Sequence, residues 1–227
     1  MTLSIIMPVL DEAANIEAAL RALAPYRARG AEVIVADGGS RDGTADLARP
    51  LADNVIASPR GRATQMNAGA AVARGDVLLF LHVDTQLRDD ADRLVLDGMA
   101  QSGRAWGRFD VLFDGGGLAL VALMMNLRSR LTGIATGDQA MFVTRAAFDA
   151  AGGFPPIALM EDVALSARLK RSGLPLCLRA RVTTSGRRWR KHGVLRTILL
   201  MWKLRLAYFC GADPIRLAEA YGYATER

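Results

Sequence analysis

Four apolar runs, each closing on a charged or turn-forming residue, constrain the fold of this chain more than anything else in it. They occupy residues 4–9, 32–36, 54–57 and 77–81. The last, Val77-Leu78-Leu79-Phe80-Leu81, is continuously apolar and follows the turn-like Gly75-Asp76, the pattern of a strand buried on both faces. Helical stretches separate the runs. Ile16, Ala19, Leu20 and Leu23 recur at i, i+3, i+4 and i+7; a second helix follows Thr44; a third opens at Arg60-Gly61-Arg62 and carries Gln65, Asn67 and Gly69. Strict alternation of this kind predicts an α/β fold with a mostly parallel, Rossmann-like sheet and right-handed crossovers.

Ligands of such sheets sit outside the carboxyl ends of the strands. Asp11, Asp37, Arg60 and Asp84 each fall just after an apolar run and so gather on one edge. Asp84, two residues after His82, has two readings: a carboxylate for a divalent metal on phosphates, or a cap for the following helix. Pro8 is expected to end the first strand, because it cannot donate to a ladder.

The second half predicts a helix over 89–102, a strand over Trp106–Phe113 with Arg108 and Asp110 among its polar positions, and a break at Gly115-Gly116-Gly117. Residues 118–127 hold a single polar member, Asn126, and are too few to cross a bilayer. They are expected to form a core helix or to line an apolar groove. Gly137-Asp138-Gln139 opens a strand over 140–144, and Glu161-Asp162 begin a helix to Arg171. We read residues 1–192 as one domain and 193–227 as a basic helical extension, packed on it or at a membrane surface.

The net charge of +6 hides an asymmetry: residues 163–212 contain no acid yet hold 12 of the 29 Lys and Arg. An anionic partner follows, phosphate or acidic lipid, with no recognition motif for nucleic acid. Within this stretch residues 194–209 are apolar apart from a few polar positions that include Arg196, Lys203 and Arg205, which suits an interfacial helix or packing in the core or a homodimer, not a membrane span. Two cysteines, Cys177 and Cys210, exclude a disulfide framework and any multi-cysteine metal site. The N-terminus lacks a basic segment ahead of its apolar run, so no signal peptide and a cytoplasmic location are expected, with contact at the inner face of the membrane left open.

No G-x-G-x-x-G and no G-x-x-x-x-G-K-[ST] occurs, which weakens hydride transfer and P-loop chemistry. A nucleotide held by side chains remains. Asp37 suits ribose or base, Arg60 or Arg62 a phosphate, and Asp84 with His82 a metal. Glu161-Asp162, at a helix N-terminus whose dipole favours ionised carboxylates, are candidates for a general base. His192, beside Arg190-Lys191, is expected at the surface or as a phosphate contact.

Together these residues resemble the family 2 glycosyltransferases of the GT-A fold, over nearly the whole chain. The opening strand and loop Ser4 to Glu12, the segment Asp37-Gly38-Gly39-Ser40-Arg41-Asp42-Gly43-Thr44 (D-x-x-S-x-D-x-T), Arg60 to Gly69, His82-Val83-Asp84 in the place of DXD, and Glu161-Asp162 carry the likeness. Ser185-Gly186-Arg187-Arg188-Trp189 is a degenerate Q-x-x-R-W. Within the family the chain most resembles short bacterial members associated with radical-SAM and selenium-domain gene neighbourhoods. The resemblance implies a nucleotide-diphospho-sugar donor held by Pro8, Asp11, Glu12, Asp37, Arg60, Gln65, Asn67, Asp84, Gly137, Asp138, Arg188 and Trp189. It implies Mg²⁺ or Mn²⁺ on Asp84 and His82, and an inverting transfer with Asp162 as base and Glu161 beside it. His82 replaces the first Asp of DXD, and Ser185 replaces the Gln of Q-x-x-R-W, which favours one sugar per turnover over processive synthesis. The acceptor is unassigned, lipid-linked ones included. A nucleotidyltransferase and a non-catalytic nucleotide-sugar binder are the competing readings.

Overall fold

A computed structural model describes residues 1–223. It alternates β1 (Leu3–Val9), α1 (Ala13–Ala28), β2 (Glu32–Asp37), α2 (Thr44–Ala48), β3 (Asn54–Ala57), α3 (Arg62–Val72) and β4 (Val77–Phe80). After these come β5 (Thr85–Gln86), α4 (Ala91–Ser102), β6 (Trp106–Phe113), α5 (Ala119–Thr132), β7 (Phe142–Thr144) and α6 (Arg145–Ala150). The chain continues through α7 (Glu161–Leu169), β8 (Leu176–Thr184), α8 (Arg187–His192), α9 (Val194–Phe209) and α10 (Pro214–Tyr221). Residues 224–227 of the expected extension lie outside the described residues.

The eight strands form one sheet in the order β3-β2-β1-β4-β7-β6-β8-β5. β1 to β4 are parallel, as the alternation predicts. β7 then enters antiparallel to both β4 and β6, and β8 runs parallel to β6. Alternate side chains of the central strands feed two cores, as the strand period of two requires. Ile5, Val33, Val35 and Leu79 pack with Leu20 and Leu23 of α1 and Val95 of α4. Ile6, Ile34, Leu78 and Phe80 pack with Met66 of α3, Phe148 of α6 and Leu165 of α7.

Several expectations are corrected. Pro8 does not end β1, which runs to Val9; pairing with β4 stops at Ile6–Phe80, so the proline sits where β1 is flanked on one side only. Asp84 caps no helix, because β5 intervenes and Asp90 is the residue ahead of α4. The strand expected over 140–144 shrinks to Phe142–Thr144: Gly137–Gln139 form a 3₁₀ turn closed by a Thr136–Gln139 capping box, and Ala140 at φ 43° breaks the extended run. β5 and β8 have no counterpart among the expected strands.

The largest correction concerns α5. Its inward face is mixed, with Asn126 and Ser129 buried beside Val121 and Ala122: the Asn126 side chain accepts from Val111 N–H (2.9 Å) and donates to Val111 carbonyl (3.0 Å). Arg108 of β6, fully buried, pairs with Asp110, which also binds Arg130 of α5. Leu120, Leu123, Met124, Leu127 and Leu131 consequently point outward, 45–77% exposed, in a helix expected to be core. α9 lies alongside, with Ile198 packed against Val121, Ala122 and Met125. The α9–α10 pair covers Leu159, Met160 and Val163. Among the described residues no helix is long and apolar enough to cross a membrane.

Candidate active site

The ends of β1 and β2 are closed by side chains bonding backbone. Gln65, nearly fully buried on α3, donates its amide N–H groups to the Val9 (2.7 Å) and Ala36 (2.8 Å) carbonyls. The Asp37 carboxylate accepts from the N–H of Gly39 and Ser40, each at 3.1 Å, and from the Ser40 hydroxyl. Ser40 Oγ in turn accepts from Asp11 N–H (2.9 Å), whose side chain accepts from Arg41 N–H (2.8 Å). Asp11 pays for this geometry with φ 53°, unusual for a residue with a Cβ. Glu12 N–H donates to Thr44 Oγ1 at 2.8 Å. Asn67 clamps Phe154 through both its backbone groups, 2.8 and 2.9 Å. Pro8 sits half-buried in β1, and Arg60 is exposed in the loop ahead of α3.

A second group assembles where β4 ends. His82 leaves β4 toward the Gly137–Gln139 turn, its Nδ1 3.6 Å from Asp138 Oδ1. Gly137 lies so close that a Cβ there would stand 2.4 Å from His82 Cε1, and only glycine fits. Its N–H donates to Asp162 Oδ2 at 2.8 Å, and Asp162 Oδ1 accepts from Val163 N–H at 2.7 Å. Arg62, at the start of α3, approaches Glu161 (3.7 Å) and donates to the Tyr223 hydroxyl (2.9 Å). One recess is therefore bordered by Arg62, His82, Gly137, Glu161 and Asp162. Asp84 stands in the exposed turn two residues after His82, where its carboxylate has no partner among the described residues.

Burial works against ionisation at Asp138, but the hydrogen bond from His82, with the charges of His82, Arg62 and Arg205, outweighs it and holds the carboxyl below its usual range. Glu161 goes the other way: burial pushes its pKa up, Arg62 pulls it down, and Asp162 pushes it up again. A raised carboxyl pKa costs stability once the unfolded chain would be ionised. That cost is absent below the unfolded value, about 4.3, and grows as pH rises toward the folded value. Glu161→Gln should therefore melt above the native protein by a margin that widens as pH climbs from about 4 to 7. Equal margins at both ends would show that burial of this charge costs nothing.

Arg188 and Trp189 do not join the recess directly. Arg188 stacks 3.5 Å over the Tyr221 ring and donates to the Tyr221 carbonyl, while Trp189 packs edge-on against Phe113. His192 is exposed, as expected. Sequence reasoning missed Tyr221 and Tyr223, which bring the end of α10 onto Arg188 and Arg62, and it missed Arg128. Arg205 was legible only as a basic position of the 194–209 stretch, with nothing to bring it near the carboxylates.

The chain supplies only part of a metal shell: among the described residues no three ligating side chains gather at one point. His82 with Asp138, and Asp84 beyond them, are nitrogen and oxygen donors. They suit Mg²⁺ or Mn²⁺ whose remaining positions come from substrate phosphates and water.

Residues 4–149 match the family described as Glycosyl transferase family 2. A PGL/p-HBAD biosynthesis glycosyltransferase of Mycobacterium bovis is 37% identical over 98 residues, 40% of this chain and 38% of that protein. The match thus spans well under half of that relative's length. Among solved structures, S. aureus TarS 1–349 in complex with UDP-GlcNAc superposes with TM-score 0.68 at 18% identity, covering 82% of this chain and 58% of that one. The mannosyltransferase PcManGT from Pyrobaculum calidifontis, in complex with GDP-Man and Mn²⁺, gives TM-score 0.67 at 19% identity over 97% and 69%. These likenesses show the GT-A fold.

Proposed function

Because the chain belongs to glycosyl transferase family 2, we propose that it moves a single sugar from a nucleotide-diphospho-sugar to an acceptor hydroxyl, with inversion. The observation that carries this reading is the placement of Asp162. Its carboxylate is held by two backbone N–H groups, beside buried Glu161 and facing the Gly137 turn on His82. A group fixed on both oxygens still has lone pairs to accept a proton, and it cannot swing away from an incoming hydroxyl.

The acceptor hydroxyl gives its proton to Asp162 as its oxygen forms a bond to the anomeric carbon. The bond from that carbon to the diphosphate breaks on the opposite face, and the electron pair leaves with the nucleoside diphosphate. The transition state has oxocarbenium character, as in glycoside hydrolysis. A divalent metal on His82, Asp138 or Asp84 would neutralise the diphosphate and so supply Lewis-acid stabilisation of the leaving group. Arg62, pinned between Glu161 and Tyr223, adds positive charge on the nucleotide side. The Asp11–Ser40 bond ties the loop after β1 to the loop after β2, and the Asp37–Ser40 bond fixes Ser40 in turn, so the two loops form one braced wall for the nucleoside. TarS and PcManGT, with UDP-GlcNAc and GDP-Man bound, support a nucleotide-sugar donor without selecting its base.

The test is thermal melting against nucleoside diphosphates and nucleotide-sugars, with and without Mn²⁺. One nucleotide at a hundredfold excess over its dissociation constant should add about 2.7 kcal/mol. The gain should be larger with metal and smaller in Asp84→Ala. If no nucleotide moves the melting temperature, the donor reading fails.

A further inference from the structure

Two arginines near Asp162 make no hydrogen bond or ion pair described so far. Arg128 of α5 has Nε and Nη2 buried with no hydrogen-bond partner among the described residues, and so has Nε of Arg205 on α9. Burial and the charge of Arg205 push the Arg128 pKa down to about 10, with Asp162 pulling it back; Asp162 and Asp138 act on Arg205 in the same way. Each guanidinium thus feels the charges of Asp162 and Asp138, and Arg128 also that of Arg205. Burying unpaired cations together is costly unless an anion joins them.

The same two helices carry an inverted amphipathic pattern. Five large apolar side chains of α5 and five of α9 (Leu195, Leu199, Trp202, Leu206, Phe209) are 45–77% exposed. They recur at three- and four-residue steps, so each helix presents one stripe. Exposed apolar faces of this extent mark an interaction surface. The segment that carries α9 is the acid-free one, and Arg187, Lys191 and Lys203 on it are exposed. Apolar stripes flanked by cations, with an aromatic boundary, complement an anionic bilayer better than another copy of a basic chain.

Resting on the transferase reading above, we propose that the acceptor is an anionic lipid whose headgroup carries a hydroxyl beside its phosphate. The α5 and α9 faces seat on the bilayer, and Arg128 with Arg205 take the phosphate. The hydroxyl then lies at Asp162, gives it the proton and bonds to the anomeric carbon as the diphosphate departs.

The test is co-sedimentation with vesicles of phosphatidylcholine alone, with phosphatidylglycerol, or with phosphatidylserine, beside nucleotide melting on the same proteins. The native chain should bind both anionic vesicles and transfer sugar only to the phosphatidylglycerol headgroup. Leu123→Asp with Trp202→Asp should abolish sedimentation yet keep the nucleotide shift. Arg128→Gln with Arg205→Gln, which removes two unpaired cations and should still fold, should cut the preference for anionic vesicles by about thirtyfold and leave the nucleotide shift intact. Four results would overturn the proposal: no sedimentation despite a nucleotide shift; equal binding to all vesicles; loss of the nucleotide shift in the arginine variant, which would put the pair on the donor; or transfer to glycerol phosphate as efficient as to vesicles. Self-association abolished by the apolar variant, without vesicle binding, would assign the stripes to a dimer instead. A missing nucleotide shift in the native chain would count against the donor reading, not against lipid docking.

Discussion

Asp162→Asn is expected to lower turnover by about 10²–10⁴-fold, the usual worth of a positioned general base, with donor affinity unchanged. Asn has the same shape and can still accept from one of the two N–H groups that hold the native carboxylate, Gly137 or Val163. What it lacks is a site for the acceptor's proton. The competing role for Asp162 is that of an ordinary first-turn acid on α7, where Asn would be nearly as good. The two roles separate cleanly. A first-turn Asp predicts normal turnover and a small stability change, whereas a base predicts lost turnover with a full nucleotide-induced melting shift. Single-turnover assays with the donor prebound read the difference, and normal rates in this variant would remove Asp162 from the chemistry.

Gln65→Leu should have the largest effect on stability. Leu nearly matches the volume but removes two buried donor bonds, one to the Val9 carbonyl, which keeps its bond from Gly38 N–H (2.9 Å), and one to the Ala36 carbonyl. A lost hydrogen bond costs about 0.5–1.5 kcal/mol net, so the pair is worth about 1–3 kcal/mol. For a domain of this size that corresponds to a melting temperature lower by roughly 2–12 °C. Gly38 packs on the same amide, where a Cβ would lie 2.9 Å from Gln65 Cδ, so the loop beyond β2 should loosen with it. Weaker nucleotide binding in the variant would follow from that loosening alone. An unchanged melt would mean that the backbone donors alone satisfy the two carbonyls.

Gln65 also shows where reading the sequence stops. Its position near Arg60-Gly61-Arg62 was legible, and so were β1 to β4, because a buried parallel strand writes itself as a continuous apolar run between helical periods. The amide's task was not legible, since a residue that holds the backbone around a ligand and one that holds the ligand look the same in one dimension. Arg188 and Asn67 repeat the point: each turns to a protein partner, Tyr221 and Phe154, from a distant part of the chain. α5 failed for a different reason. Its apolar residues fall on all sides, and only the pairing of Asn126 with Val111, and of Arg130 with Asp110, decides which face turns in. Orientation of that helix depends on β6, and β6 is not written in the helix. The same holds for β8, whose partly exposed residues and arginines at 179 and 181 blur any strand period.

Gly137 leaves a consequence for how the two substrates feel each other. One face of this residue rests on the His82 imidazole, and its N–H holds the Asp162 carboxylate. In the proposed transferase a donor that shifted the imidazole would press on this peptide, so the two substrates would be linked through it. Any such linkage would, by thermodynamic reciprocity, change both affinities by the same factor. A bare glycine, contributing no functional group of its own, would then be the joint between the donor side and the Asp162 side.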